Sequence, residues 1–140
     1  MSGHKHIERH IGRFIASRYG NVAEIGAGSN LDAALIIRDA GVRVFCTDIR
    51  PAPEACDIRY VKDDIFAPDI SLYEGLDLIY SIRPAEEMTG ALISLARAVD
   101  CDLLVYHLGF EGYGDGGEII DCGVVLHCYN RGQKPSKSVF

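Results

Sequence analysis

The sequence predicts an α/β fold, a Rossmann-like three-layer sandwich with a mostly parallel central sheet and a C-terminal antiparallel hairpin. Three observations lead there. Short apolar runs alternate with longer segments of helical period. The first such run, Val22-Ala23-Glu24-Ile25, ends in Gly26-Ala27-Gly28 and leads into a helical pattern, the strand–turn–helix order that builds a nucleotide-binding corner. The segments joining successive runs are long enough for right-handed crossovers between parallel strands, whereas antiparallel neighbours need only a tight turn.

The elements follow in order. Residues 5–19 place Ile7, Ile11, Phe14 and Ile15 on one stripe, with Lys5, Glu8, Arg9, Arg13 and Arg18 around the other face, so an amphipathic helix is expected, stopped by Gly20-Asn21. A strand over 22–26, a helix over 31–40 stopped by Gly41, and a strand over 42–47 make a βαβ unit. Pro51 and Pro53 discourage a full helix in the next crossover, which leads to a weak strand over 59–61. Residues 76–81 read as a buried strand. Residues 85–99 read as a helix with Met88, Leu92, Leu95 and Ala96 inward, and 102–107 as a fifth strand. The pattern then changes: Gly109–Gly117 holds five glycines in nine residues, and 118–121 and 124–129 flank Cys122-Gly123 as a hairpin. Residues 1–130 are expected to form a single domain and 131–140 a flexible basic tail.

Bulk composition narrows the functional classes. With 140 residues and 48% hydrophobic content the chain can bury a workable core. Fourteen basic against twenty acidic side chains leave a net charge of −6, which disfavours nucleic acid and anionic membrane as partners. No run of about 18 apolar residues exists and residues 1–20 lack an apolar signal core, so a cytoplasmic protein is expected. Cys46, Cys56, Cys101, Cys122 and Cys128 form no C-x-x-C pair and read as reduced structural thiols, and His6 and His10 at i and i+4 read as solvated surface, so no metal site is expected.

In doubly wound sheets the ligand lies at the carboxyl ends of the strands, where the strand order reverses. Those ends carry Glu24, Gly26 and Gly28 after the first strand, Asp48 after the second, and Asp63 and Asp64 after the third. Gly26 permits the sharp turn and Gly28 lets backbone N–H groups approach a ligand, with the positive end of the helix starting near Asn30 or Leu31 aimed at the site. Asp48 is placed to accept hydrogen bonds from a ribose diol. Bare Gly-x-Gly also occurs in ordinary tight turns, and position 31 is Leu where a dinucleotide fingerprint has Gly.

The order and spacing of these acids resemble the class I S-adenosylmethionine-dependent methyltransferases over roughly residues 20–107. The resemblance implies a cofactor pocket of Glu24, Gly26, Gly28, Asp48 and Asp64 that takes S-adenosylmethionine, whose positive charge suits acidic strand ends. A narrower resemblance rests on Thr47-Asp48-Ile49-Arg50-Pro51, Asp63-Asp64-Ile65-Phe66-Ala67-Pro68 and the segment Gly75–Pro84 with Ala85-Glu86-Glu87 after it. These look like the small archaeal uncharacterised protein family 0146, which implies a methyltransferase-like fold and leaves the reaction open.

Amine methyltransferases of this class carry Asn/Asp-Pro-Pro-aromatic after the fourth strand, and this chain has Ser81-Ile82-Arg83-Pro84. Arginine cannot accept the hydrogen bond that holds a nucleophilic nitrogen, and its fork of donors suits a carboxylate or phosphate. Ser81, Arg83 and Pro84 are therefore the candidate substrate-binding residues. Ile-Arg-Pro also occurs at 49–51, where Arg50 either assists or pairs with the nearby acids. Arg83 and His107 are the candidate catalytic residues, His107 as a general base. Tyr80, Tyr106 and Tyr113 are candidates for stacking, and the loop 109–117, with Phe110 and Tyr113, for a lid.

The expected function is S-adenosylmethionine binding by a small methyltransferase acting on an unknown small-molecule or macromolecular substrate. The alternative is a non-catalytic nucleotide-, cofactor- or partner-binding module, with an NAD-dependent oxidoreductase behind it. Because the chain is short for a complete enzyme of this class, a homodimer or a partner subunit is a further expectation.

Overall fold

In the computed structural model, residues 3–109 and 112–133 are described, with side chains from His6 onward. Helix α1 (Gly3–Arg18) precedes β1 (Asn21–Ile25), α2 (Asp32–Asp39), β2 (Arg43–Asp48), β3 (Tyr60–Lys62), a 3₁₀ turn (Ile70–Tyr73), β4 (Leu78–Ile82), α3 (Met88–Val99), β5 (Asp102–Tyr106), β6 (Glu118–Asp121) and β7 (Val125–Asn130). Every element expected from the sequence is present, with ends shifted by up to three residues. Helix α3 starts at Met88 because Pro84 follows the strand directly and residues 85–87 make a turn closed by Met88 N–H to Ala85 O at 2.9 Å. The 3₁₀ turn was not expected; Asp69 starts it by accepting from Ser71 N–H.

Seven strands, among the described residues, form one sheet in the order β3-β2-β1-β4-β5-β7-β6. The first five run parallel, β7 runs antiparallel to β5, and β6 runs antiparallel to β7. The chain therefore passes the edge of β5, lays β6 outermost and returns β7 into the gap. The order reverses at β1, whose neighbours are β2 on one side and β4 on the other, so the carboxyl ends of β1 and β4 frame a crevice.

Alternation along the central strands feeds two cores. Val22, Leu78, Tyr80 and Leu104 pack with Ile11 and Ile15 of α1, Tyr19 just after it, and Ala33 and Ile37 of α2. Ala23, Ile25, Ile79, Leu103 and Val105 pack on the other face with Leu92, Leu95, Ala96 and Val99 of α3. Helices α1 and α2 cross closely at Gly12, where a Cβ would lie 3.0 Å from Ala33 O and 3.1 Å from Ile36 Cβ.

Two sequence expectations change here. Glu8, read as part of the solvated helix face, is 2% exposed. Of the segment read as a loose tail, Arg131 to Gln133 are anchored: Arg131 Nη1 donates to Asp102 Oδ2 at 3.0 Å, Gly132 N–H to Asp102 Oδ1 at 2.8 Å and Gln133 N–H to Asp100 Oδ1 at 2.9 Å. Residues 134–140, like Phe110 of the expected lid, lie outside the described residues. The five cysteines are free, and burial raises the thiols of Cys46, Cys122 and Cys128, the last to about 11, as expected of inert packing groups.

Candidate functional site

A cleft of about 260 Å³ opens at the switch point. Its lining comes from four strand ends: Ile25 and Gly26 after β1, Asp48, Ile49 and Arg50 after β2, Asp63 to Phe66 after β3, and Arg83 to Ala85 with Met88 after β4. The sheet order alone brings these segments together.

Gly26 makes the corner with φ at +73°, and a Cβ there would meet Met88 Cε at 3.2 Å, so both backbone and cleft wall require glycine. The N–H groups of the corner are engaged within the protein. Gly26 N–H and Ala27 N–H donate to Thr47 O at 2.9 and 3.2 Å, and Gly28 N–H donates to Asp48 Oδ2 at 2.9 Å. Asp48, 7% exposed, also accepts Arg50 N–H on Oδ1 at 3.0 Å. Its carboxylate thus fastens the β1 and β2 loops to each other while facing the cleft, with acceptor capacity left on both oxygens. Asp63 is braced by the Tyr73 hydroxyl, which donates at 2.6 Å, and Asp64 accepts Phe66 N–H at 2.9 Å.

Of the expected cofactor residues, Gly26, Asp48 and Asp64 line the cleft, and Gly28 stands behind it as the donor to Asp48. Glu24 does not line it. Its side chain turns to the α1–α2 face, 2% exposed, and accepts from the Tyr80 hydroxyl at 2.8 Å. Burial pushes its carboxyl up to about 8, the Tyr80 hydrogen bond opposes the shift, and the charge of Glu8 adds to it.

Among the expected substrate residues, Arg83 and Pro84 line the cleft, and Ser81 is withdrawn, donating to Ile25 O at 2.7 Å. The Arg83 guanidinium is directed away to α1. Arg83 takes φ of +55°, Nη1 donates to Glu8 Oε2 at 2.9 Å, and the guanidinium carbon stands 5.5 Å from the Tyr106 ring centroid. Glu8 Oε1 and Arg83 Nη2 are buried with no hydrogen-bond partner among the described residues. Arg50, by contrast, is 79% exposed along its side chain at the cleft mouth, with Nε 3.8 Å from Asp48 Oδ1. His107, the other catalytic candidate, lies beyond β5 outside this cleft, its Nε2 2.6 Å from the Tyr129 hydroxyl. Ile49 and Phe66, exposed by 60% and 59%, also line the cleft and were not singled out from the sequence, because one exposed apolar residue per loop carries no pattern.

The model of the uncharacterised protein family UPF0146 matches residues 8–114 of this chain. The chain belongs to that family. Relatives within UPF0146 include a protein of Archaeoglobus fulgidus, 40% identical over 108 residues that cover 75% of this chain and 78% of the relative, and one of Pyrococcus horikoshii, 34% identical over 108 residues covering 74% and 82%. Among solved structures, the fold is similar to a SAM-dependent methyltransferase from Archaeoglobus fulgidus, with TM-score 0.56, 15% identity, and coverage of 76% of this chain. It is similar too to magnesium protoporphyrin IX methyltransferase from Synechocystis with bound SAH, with TM-score 0.53, 16% identity, and coverage of 74% of this chain. This UPF0146 chain spans about half of those structures, 53% and 55% of their lengths, and shares their Rossmann-like fold. No helix among the described residues is long and apolar enough to cross a membrane.

Proposed function

We propose that the switch-point cleft binds S-adenosylmethionine and that the protein is a small methyltransferase. One observation carries the reading: the N–H groups of residues 26 to 28, which a pyrophosphate would need, are already bound to Thr47 O and Asp48, and the cleft that remains is lined by Asp48, Asp63 and Asp64, with the Arg83 guanidinium drawn off to Glu8 and Arg50 at the mouth beside Asp48. Such a site disfavours a doubly charged pyrophosphate and suits a guest that combines a nucleoside with positive charge. Asp48 would take the ribose hydroxyls, Asp64 the base edge, and Ile49 and Phe66 the faces of the ring. When bound, the sulfonium supplies an activated methyl group; the chain's own contribution is to fix its direction and to bring an acceptor alongside.

The test is a calorimetric and thermal-shift panel of S-adenosylmethionine, S-adenosylhomocysteine, NAD and ATP, since selective binding raises Tm by mass action. Stabilisation by the first two and not by NAD or ATP is the expected result. Preference for NAD would return the cleft to the oxidoreductase reading, and no shift with any of the four would leave a partner-binding module.

A further inference from the structure

A second cleft of about 260 Å³ lies between the end of β5 and the start of β7, lined by Tyr106, Val124, Val125 and two imidazoles, His107 and His127. It neighbours the first. Arg83 lines one cleft and Tyr106 the other, Arg83 N–H donates to Tyr106 O at 2.7 Å, and β4, which Arg83 directly follows, is the sheet neighbour of β5, which carries Tyr106, at a spacing of about 4.8 Å.

The two rings have different hydrogen-bonding states. Gly116 O can only accept, so His127 Nδ1, 2.7 Å from it, is the donor, and the neutral ring keeps its lone pair on Nε2. The Tyr129 hydroxyl takes Tyr113 N–H at 3.0 Å and meets His107 Nε2 at 2.6 Å, so that nitrogen of His107 is engaged. His127 is held in place by stacking on Tyr129 at 5.8 Å and by an edge contact with His107 at 4.9 Å. An imidazole whose tautomer is set by a carbonyl and whose plane is fixed by packing is the arrangement of an oriented general base.

Resting on the cofactor reading above, we propose that this second cleft holds the methyl acceptor, a small uncharged aromatic compound bearing a hydroxyl, and that His127 Nε2 takes the hydroxyl proton. Among the described residues the lining includes no Lys, Arg, Asp or Glu and so offers an ionic acceptor no counter-charge, while Tyr106, Val124 and Val125 offer apolar walls to a ring. A phenolic hydroxyl, near pKa 10, is within reach of an imidazole base, and an aliphatic alcohol is far less acidic. In the transfer, the hydroxyl oxygen forms a bond to the methyl carbon as the carbon–sulfur bond breaks. The electron pair stays on sulfur, and the hydroxyl proton passes to Nε2.

The experiment uses the full chain and phenol, with anisole as the control that has no proton to give. Imidazole nitrogen resonances are followed during titration with each, and in parallel S-adenosylhomocysteine affinity and methyl transfer from S-adenosylmethionine to phenol are measured for the parent and for His127→Gln. The expected result is a shift of His127 Nε2 with millimolar phenol and not with anisole, and transfer reduced by about 10²–10⁴-fold in the variant with S-adenosylhomocysteine affinity kept. Absence of the phenol shift while S-adenosylhomocysteine binds overturns the acceptor site and leaves the cofactor cleft standing. Absence of S-adenosylhomocysteine binding removes both.

Discussion

Arg83 and Glu8, 75 positions apart, meet in a partly enclosed ion pair with Nη1 2.9 Å from Oε2, and this contact clamps α1 to the loop that walls the cleft after β4. The Glu8 side chain is 2% exposed and that of Arg83 20%. Removing one partner strands the other. Glu8→Ala and Arg83→Ala are each expected to lose about 3 kcal/mol in urea unfolding, and the Glu8→Leu/Arg83→Met double variant much less than their sum. Additive losses would show that the pair has no coupling.

The same contact bears on Arg83 as a substrate residue. With its guanidinium on Glu8, Arg83→Lys is expected to lower stability and leave S-adenosylhomocysteine affinity within about twofold, because Lys cannot reproduce the planar fork. A loss of affinity without a loss of stability would mean that the side chain turns into the cleft when ligand arrives.

Glu24 makes stability depend on pH in an unusual direction. Its carboxyl stands at about 8 in the folded chain against 4.5 ordinarily, so the folded state holds the proton after the unfolded state has released it. The contribution is complete below about 4.5, declines as pH rises, and is gone above about 8. Glu24→Gln should flatten this part of the profile and be more stable than the parent at alkaline pH, by an amount on the order of several kcal/mol. Unfolding curves across this range for both proteins check it; parallel profiles would place the proton elsewhere.

Asp48 joins two loops with one carboxylate. Asp48→Ala leaves Gly28 N–H and Arg50 N–H without their acceptor and should cost about 2 kcal/mol together with a loss of S-adenosylhomocysteine affinity. Asp64→Ala, whose side chain braces only its own turn, should lower affinity with little change in stability. Equal stability losses in the two would contradict the bracing role.

Gly26→Ala combines a strained φ of +73° with the 3.2 Å approach to Met88 Cε, so a loss of about 1–2 kcal/mol is expected. Adding Met88→Ala should restore part of it by relieving the contact and leaving the backbone strain. No recovery would assign the whole cost to φ.

The parallel sheet, its crossovers and the acid-bearing strand ends are legible in the sequence because each rests on local pattern: alternation, a glycine stop, an acid just past an apolar run. What fails is pairing across distance. Glu24 sits in the expected motif, yet the pleat turns it to the α1 face, since it shares parity with Val22, and only the placement of α1 shows what buries it. Glu8 had a local signal, because it stands at i−3 and i−7 from Ile11 and Ile15 and shares their stripe, but its charge outweighed its position. Arg83 stands where a substrate residue was expected, and its partner is a helix residue whose proximity depends on the sheet order. His127 carried no motif; its use as an acceptor follows only from the carbonyl of Gly116 beside it.

The slot that β7 fills has a consequence for biogenesis. As the ribosome delivers the chain, β5 emerges with an unpaired edge, and the strand that closes it arrives some twenty residues later, after β6, which itself has only β7 to pair with among the described strands. Until Asn130 clears the exit tunnel, the nascent sheet carries an open flank in its interior, the state most exposed to pairing with another chain or to capture by a chaperone.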